Sequence, residues 1–261
     1  FVDFLKKAGQ SQWQLLPLTP TGYGDSPYQS CSTFAGNHYL IDLDMLAQEG
    51  LLEKEDYAQL DWGENPTHAD FGKLYNNRLN VLRKAYARFQ GGAEFDCFCQ
   101  ENSSWLPDFA LFMALKDQKG GKPWYQWEEK LKRRDDEALT DAWFHLKEEI
   151  YFHCYLQYVF FCQWEALRGY AHEKGIKIIG DVPIYVPLDS VEVWSSPELF
   201  QLDENRYPVE VAGCPPDGFS ADGQLWGNPL YDWDYMEKDG YSWWIQRIKY
   251  LCGVYDVLRI D

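Results

Sequence analysis

Three short β-type segments, far apart along the chain, constrain the fold most. Trp13 to Leu18, Ile176 to Val182 and Val254 to Asp261 read as buried strands. Helical periodicity fills much of the rest. Asp70 to Phe89 places Phe71, Leu74, Leu79, Leu82 and Ala85 at apolar positions. Asp135 to Glu173 is nearly free of Gly and Pro, with Tyr151, Cys154, Tyr155, Tyr158, Phe161 and Cys162 as a core-facing stripe. Asp239 to Leu251 leads as a helix into the last strand. Alternation of strand, helix and strand predicts a parallel α/β sheet. The first gap far exceeds a simple crossover, so residues from about 19 to 171 must include an insertion subdomain, mainly helical. Residues from about 184 to 233 form a second, loop-rich insertion. Phe1, Phe4, Leu5 and Ala8 follow helical spacing, so the sequence is expected to open inside an amphipathic helix.

The last predicted strand carries the clearest chemistry. Val257, Arg259 and Asp261 share one face, and Leu258 and Ile260 the other. An arginine and a carboxylate therefore stand together at the C-terminal end of a strand, where parallel α/β folds gather ligands and catalytic groups. Such a pair serves structure in some proteins; in others the arginine favours the ionised carboxylate that a nucleophile needs.

Composition narrows the partners. The 41 acidic against 24 basic residues give a net charge of −17, which disfavours nucleic acid and anionic membranes. It suits a neutral partner, and equally serves solubility alone. No apolar run is long enough to span a bilayer, and no signal peptide is visible. Seven scattered cysteines show no paired C-x-x-C spacing, so buried free thiols in a cytoplasmic protein are expected rather than a zinc site. With 12 Trp and 18 Tyr, the chain has rings to spare for a groove that packs against the C–H faces of sugars.

Three further stretches sit where chemistry would be expected. Pro20 to Gln29, directly after the first strand, holds Tyr23, Ser26 and Tyr28 in a Gly- and Pro-constrained loop; it reads as a binding loop or an ordinary polar connection. Gly180-Asp181-Val182-Pro183 puts Asp181 at the exit of the middle strand, either facing a site or capping the next loop. Ala212 to Trp233, expected to be non-regular, carries Asp217, Phe219, Trp226 and Tyr231. It reads as a lid that sheds water or as a stapled surface loop.

Taken in order, QWQLLPLTPTGYGDSPYQ, GDVPIYV, CPPDGFSADGQLWGNPLYDW and the terminal LRID resemble the amylomaltases, the 4-α-glucanotransferases of glycoside hydrolase family 77 in the wider α-amylase clan. The resemblance runs through the whole chain. It implies a partial (β/α)8 TIM barrel, strands 2 to 4 with large, mainly helical insertions, forming one part of a catalytic domain. It implies transfer of α-1,4-glucan segments between maltooligosaccharides by a retaining double displacement, with no metal or organic cofactor. Asp261 resembles the nucleophile, and Arg259 the arginine that holds it. Asp181 resembles a carboxylate near the donor sugar. Ser26 and Tyr28 resemble glucan contacts, and Tyr23 a tyrosine at a second glucan site. Asp217, Phe219 and Trp226 lie in what resembles the loop over the acceptor side. Gly218 stands where relatives often carry a ring. The family's acid/base glutamate and third carboxylate have no counterpart in this sequence, so these residues alone are expected to be inactive. A hydrolase of the same clan and a non-catalytic glucan-binding protein are the alternatives.

Overall fold

The computed structural model describes residues 1–65 and 67–261, apart from the side chain of Tyr23. Three parallel strands form the central sheet: β1 (Gln12–Gln14), β2 (Lys177–Val182) and β5 (Val257–Ile260), in the order β1-β2-β5. All three are shorter than the sequence suggested. Pairing nevertheless continues past their ends, because the Leu15 N–H donates to the Ile179 carbonyl at 2.9 Å and the Asp261 N–H to the Val182 carbonyl at 2.9 Å. A separate antiparallel pair joins β3 (Val211–Cys214) to β4 (Gln224–Pro229).

Eleven α-helices lie among the described residues. Those before β2 are α1 (Val2–Lys7), α2 (Leu43–Gln48), α3 (Phe71–Arg88), α4 (Ala93–Glu101), α5 (Leu106–Gln118), α6 (Glu129–Lys132), α7 (Asp136–His145) and α8 (Lys147–Glu173). After β2 come α9 (Val191–Ser195), α10 (Trp233–Lys238) and α11 (Ser242–Val254). Their starts follow from local chemistry. Asp70 caps α3 by accepting the Lys73 N–H at 3.1 Å, and Asp135 and Asp232 cap α7 and α10 in the same way.

Two apolar clusters hold these elements. One joins Ile178 and Val182 of β2 to Val2 and Leu5 of α1, Leu82 of α3, Leu156 and Phe160 of α8, and Leu251 of α11. The other centres on α5, with Phe109, Phe112 and Leu115 packed against Trp124, Trp127, Trp194 and Phe200. Helix α8 contributes to both, and three sequence expectations need correction. Its buried residues include Ile150, Phe152, Tyr155, Leu156, Val159 and Phe160, whereas Tyr151 and Cys162 of the expected stripe are exposed. A helix flanked by two cores buries more than one narrow face, so a single stripe misplaces it. The 39-residue helical run from Asp135 to Glu173 also breaks at Leu146, whose φ/ψ of −105°/14° leaves the helical region as its side chain packs against the second cluster. Finally, Phe1 and Phe4 are exposed while Val2 and Leu5 face the core. None of the seven cysteines is fully buried: three are exposed and four intermediate, all with free thiols.

Candidate active site

The site is assembled by strand register. In the parallel β2–β5 pair, Asp181 lies directly opposite Arg259 and Val182 opposite Ile260. Parallel strands present their C-terminal ends on one side, so Asp181, Arg259 and Asp261 converge there. Arg259 Nη1 donates to both carboxylate oxygens of Asp181, at 2.9 and 2.8 Å, and Nη2 to Asp261 Oδ1 at 2.6 Å. One guanidinium thus bridges two carboxylates. Their exposures differ sharply: the Asp181 side chain is 1% exposed and that of Asp261 41%. Asp181 is the buried anchor, and Asp261 is the carboxylate presented outward.

The loop after β1 supplies the fourth member. Tyr28 donates its hydroxyl proton to Asp181 Oδ2 at 2.6 Å. The loop is folded on itself around Ser26, whose carbonyl accepts from the Gly22 and Gln29 N–H groups and whose Oγ accepts from the Tyr28 N–H at 3.2 Å. Position 22 admits only glycine, since a Cβ there would lie 1.7 Å from the Gln29 carbonyl oxygen.

Electrostatics reinforce this arrangement. Desolvation acts to lower the Arg259 pKa, but the charges of Asp181 and Asp261 outweigh it and raise the guanidinium above its ordinary value. The Tyr28 hydroxyl is raised by burial, then by its bond to Asp181 and the charges of Asp181 and Asp261, so it remains a proton donor to the anchor.

A cleft of about 400 Å³ opens beside the cluster, lined by Ser26, Tyr28, Gln29, Tyr185, Gln224, Trp226, Asn228 and Asp261, with Pro183 and Ile184. Its walls combine rings, with Tyr185 and Trp226 centred 6.4 Å apart, and amides, with Gln29 Nε2 donating to Asn228 Oδ1 at 3.3 Å. Flat rings and paired amides suit a hydroxyl-rich ligand.

The structure therefore brings together Asp261, Arg259, Asp181, Ser26, Tyr28 and Trp226. It does not bring Asp217 or Phe219 to this cleft. Asp217 Oδ1 accepts the Phe219 and Ser220 N–H groups at 2.8 Å each, which lowers the carboxyl pKa, and the Phe219 side chain is fully exposed. The side chain of Tyr23 lies outside the described residues. The segment expected to be non-regular is in part the β3–β4 hairpin, with Gly213 opposite Leu225 and Cys214 opposite Gln224. Most of its residues are exposed, so pairing rests on main-chain bonds that leave no apolar alternation to read. Gln29 belongs to the loop that the sequence offers for binding, whereas Tyr185, Gln224 and Asn228 carry no signal of their own although each sits within a quoted motif; two of these are amides without a titratable group to draw notice.

Comparison with known proteins identifies the family. The family described as 4-alpha-glucanotransferase matches residues 1–261. Curated 4-alpha-glucanotransferases from Clostridium butyricum and Aquifex aeolicus are 49% and 48% identical over all of this chain, which spans 54% and 53% of their lengths. The chain thus covers about half the length of these relatives. A solved amylomaltase from Streptococcus agalactiae in complex with acarbose superposes with a TM-score of 0.96 at 48% identity, over all of this chain and 54% of that one. An amylomaltase from Corynebacterium glutamicum, 19% identical with a TM-score of 0.76 over all of this chain and 36% of that one, shares the fold. The chain belongs to the 4-alpha-glucanotransferase family, glycoside hydrolase family 77.

Proposed function

We propose that the protein containing this chain transfers α-1,4-glucan segments between maltooligosaccharides by a retaining double displacement. The observation that carries the reading is the placement of Asp261 at the C-terminal end of β5, held by an arginine that is itself anchored on buried Asp181. Asp261 attacks the anomeric carbon of the donor and forms a covalent glycosyl-enzyme as the leaving oxygen takes a proton from an acid. In retaining enzymes the two carboxyl groups stand about 5–5.5 Å apart. The acid has no counterpart among these residues and is assigned to a glutamate elsewhere in the full-length protein. A glucan hydroxyl then attacks the intermediate and releases the lengthened product. Because Arg259 is oriented before substrate arrives, little reorganisation opposes the first step.

In this reading, the sheet contributes strands 2 to 4 of a (β/α)8 barrel. Residues from about 19 to 171 include the insertion subdomain between strands 2 and 3, and about 184 to 233 the insertion between strands 3 and 4. Ser26, Tyr28 and Trp226 bind the glucan in the cleft, Tyr23 serves a second glucan site, and the hairpin bearing Asp217 and Phe219 closes over the acceptor side. The reading calls for no cofactor, nucleic acid or membrane, and places the enzyme in the cytoplasm. No helix among the described residues is long and apolar enough to cross a membrane.

The test is incubation of the full-length gene product with maltotriose, followed by chromatography. Glucose with a ladder of longer maltooligosaccharides, abolished in Asp261→Asn, is expected. Short sugars without a ladder would assign a hydrolase. Unchanged maltotriose from a folded protein would leave a binding protein.

A further inference from the structure

Arg247 of α11 is 2% exposed and is not among the residues that line the cleft. Its Nη2 donates to the Pro183 carbonyl at 2.6 Å and its Nη1 to the Ile184 carbonyl at 3.3 Å. The guanidinium carbon packs 4.9 and 5.4 Å from the ring centres of Trp244 and Trp243. Tyr231, 1% exposed, donates its hydroxyl proton to the same Ile184 carbonyl at 2.8 Å. Two interior donors therefore grip one short segment just beyond β2.

That segment is bonded to the outward carboxylate's own backbone. The Ile184 N–H donates to the Asp261 carbonyl at 2.7 Å, while the Asp261 N–H donates to the Val182 carbonyl at 2.9 Å. A continuous chain of hydrogen bonds thus leads from α11 and Tyr231, through Ile184, to the main chain of Asp261.

An arginine in this place is costly. Burial holds its pKa below the ordinary value, and the opposing pull comes from Tyr231 and from buried Glu192. Glu192 is 4% exposed, and its Oε1 accepts from the Thr33 N–H at 2.7 Å, the Thr33 hydroxyl at 3.1 Å and the Ser32 hydroxyl at 3.3 Å. Apolar side chains of similar volume usually fill such a space at lower cost. What they cannot supply is a planar fork that reaches two successive carbonyls.

We propose that Arg247 is a positioning residue for Asp261: together with Tyr231 it clamps the Pro183–Ile184 carbonyls and, through Ile184, fixes the backbone from which the nucleophile projects. It touches neither substrate nor reacting atoms. The inference rests on the functional reading of Asp261 given above.

The experiment compares Arg247→Met, Arg247→Lys, Tyr231→Phe and Asp261→Asn in the full-length protein, with maltotriose and with α-maltosyl fluoride as donors. Fluoride leaves without needing a proton, so the second donor reports attack by Asp261 independently of the acid: the C–F bond breaks, the carboxylate–carbon bond forms, and fluoride departs. Activity is referred to folded protein measured by near-UV circular dichroism. Small displacements of a reacting group cost up to about 100-fold in rate, so Arg247→Met is expected to lower kcat about 10–100-fold on both donors while KM moves less than about 3-fold. Arg247→Lys, which keeps one charged donor but loses the fork, is expected to recover only part of the loss and to stay at least about 5-fold below wild type in kcat, and Tyr231→Phe lowers kcat several-fold. A purely structural role would lower the melting temperature but leave kcat per folded molecule unchanged. Folded Arg247→Met with wild-type kcat overturns the inference. Where that variant does not fold, wild-type kcat in both Arg247→Lys and Tyr231→Phe overturns it as well. Transfer surviving in Asp261→Asn would overturn the functional reading itself. Inactive Asp261→Asn beside fully active Arg247 and Tyr231 variants would remove the positioning role alone.

Discussion

Gly180 supports Asp181 through close packing that a single methyl group would break. It sits in β2 opposite Leu258, immediately before Asp181. A Cβ at this position would lie 2.3, 2.4 and 2.6 Å from Cδ2, Cγ and Cε2 of Tyr255. Carbon contacts settle at about 3.5–4.0 Å, so the ring or the strand must give way by about 1 Å. The ring has little room, being 5% exposed and packed edge-on against Trp164 at 5.8 Å. Overpacking a tight core costs about 1–3 kcal/mol, and three simultaneous ring contacts place Gly180→Ala at the upper end, about 3 kcal/mol. Tyr255→Ala, which empties the space, should cost about 3–5 kcal/mol, as large aromatic truncations do. The double variant should then cost little more than Tyr255→Ala alone, because the new methyl group enters space the ring has vacated. That leaves a coupling energy of about 2–3 kcal/mol, at the high end for contacting residues. Equilibrium urea unfolding of the full-length protein, followed by tryptophan fluorescence, measures all four corners of the cycle. Gly180→Ala costing less than about 0.5 kcal/mol, or strict additivity in the double variant, would refute the packing argument.

Three further outcomes are expected. Burial, aided by the charge of His153 and opposed by Asp117, pushes the His38 imidazole down to about 3. The unfolded chain binds a proton near pH 6.5 that the native state refuses, so stability should fall as pH drops from about 6.5 to about 3, by at most about 1.4 kcal/mol per pH unit. His38→Gln should flatten that slope in unfolding titrations. Asp256 loses charge stabilisation to desolvation but gains more from the Ile178 N–H at 2.7 Å and His172 Nε2 at 2.9 Å, which lower its pKa. Its contribution is present above the unfolded value of about 3.9 and lost as pH falls through the lower folded value, so Asp256→Asn should destabilise the protein at pH 7 and remove part of the slope below about pH 4. Replacing Phe219 and Trp226 by Ala should raise hydrolysis relative to transfer in maltotriose digests; an unchanged ratio would exclude a role for the hairpin in keeping water out.

Much of the site is legible in the sequence because its residues terminate strands. Period-two alternation places Arg259 and Asp261 on one face without tertiary information, which permits the bond of 2.6 Å that they make. The pairing of Asp181 with Arg259 was not readable. It depends on register between strands separated by more than 70 residues, and the sequence holds no local signal for register. The hairpin was missed because its exposed faces have no burial pattern, and the faces of α1 and α8 were misjudged because neighbouring helices decide which side is covered.

The order of the three central strands, the parallel α/β class and the motif set that marks the family are all legible in the chain's sequence. Each of these rests on short-range periodicity or on ordered local motifs. Tertiary structure alone decided that Asp181 is buried and bonded to Arg259, that Tyr28 reaches across to it, and that Arg247 holds Pro183 and Ile184. Those are matters of which distant groups exclude water from one another, and burial of that kind arises only when the strands, the loop after β1 and α11 are packed together.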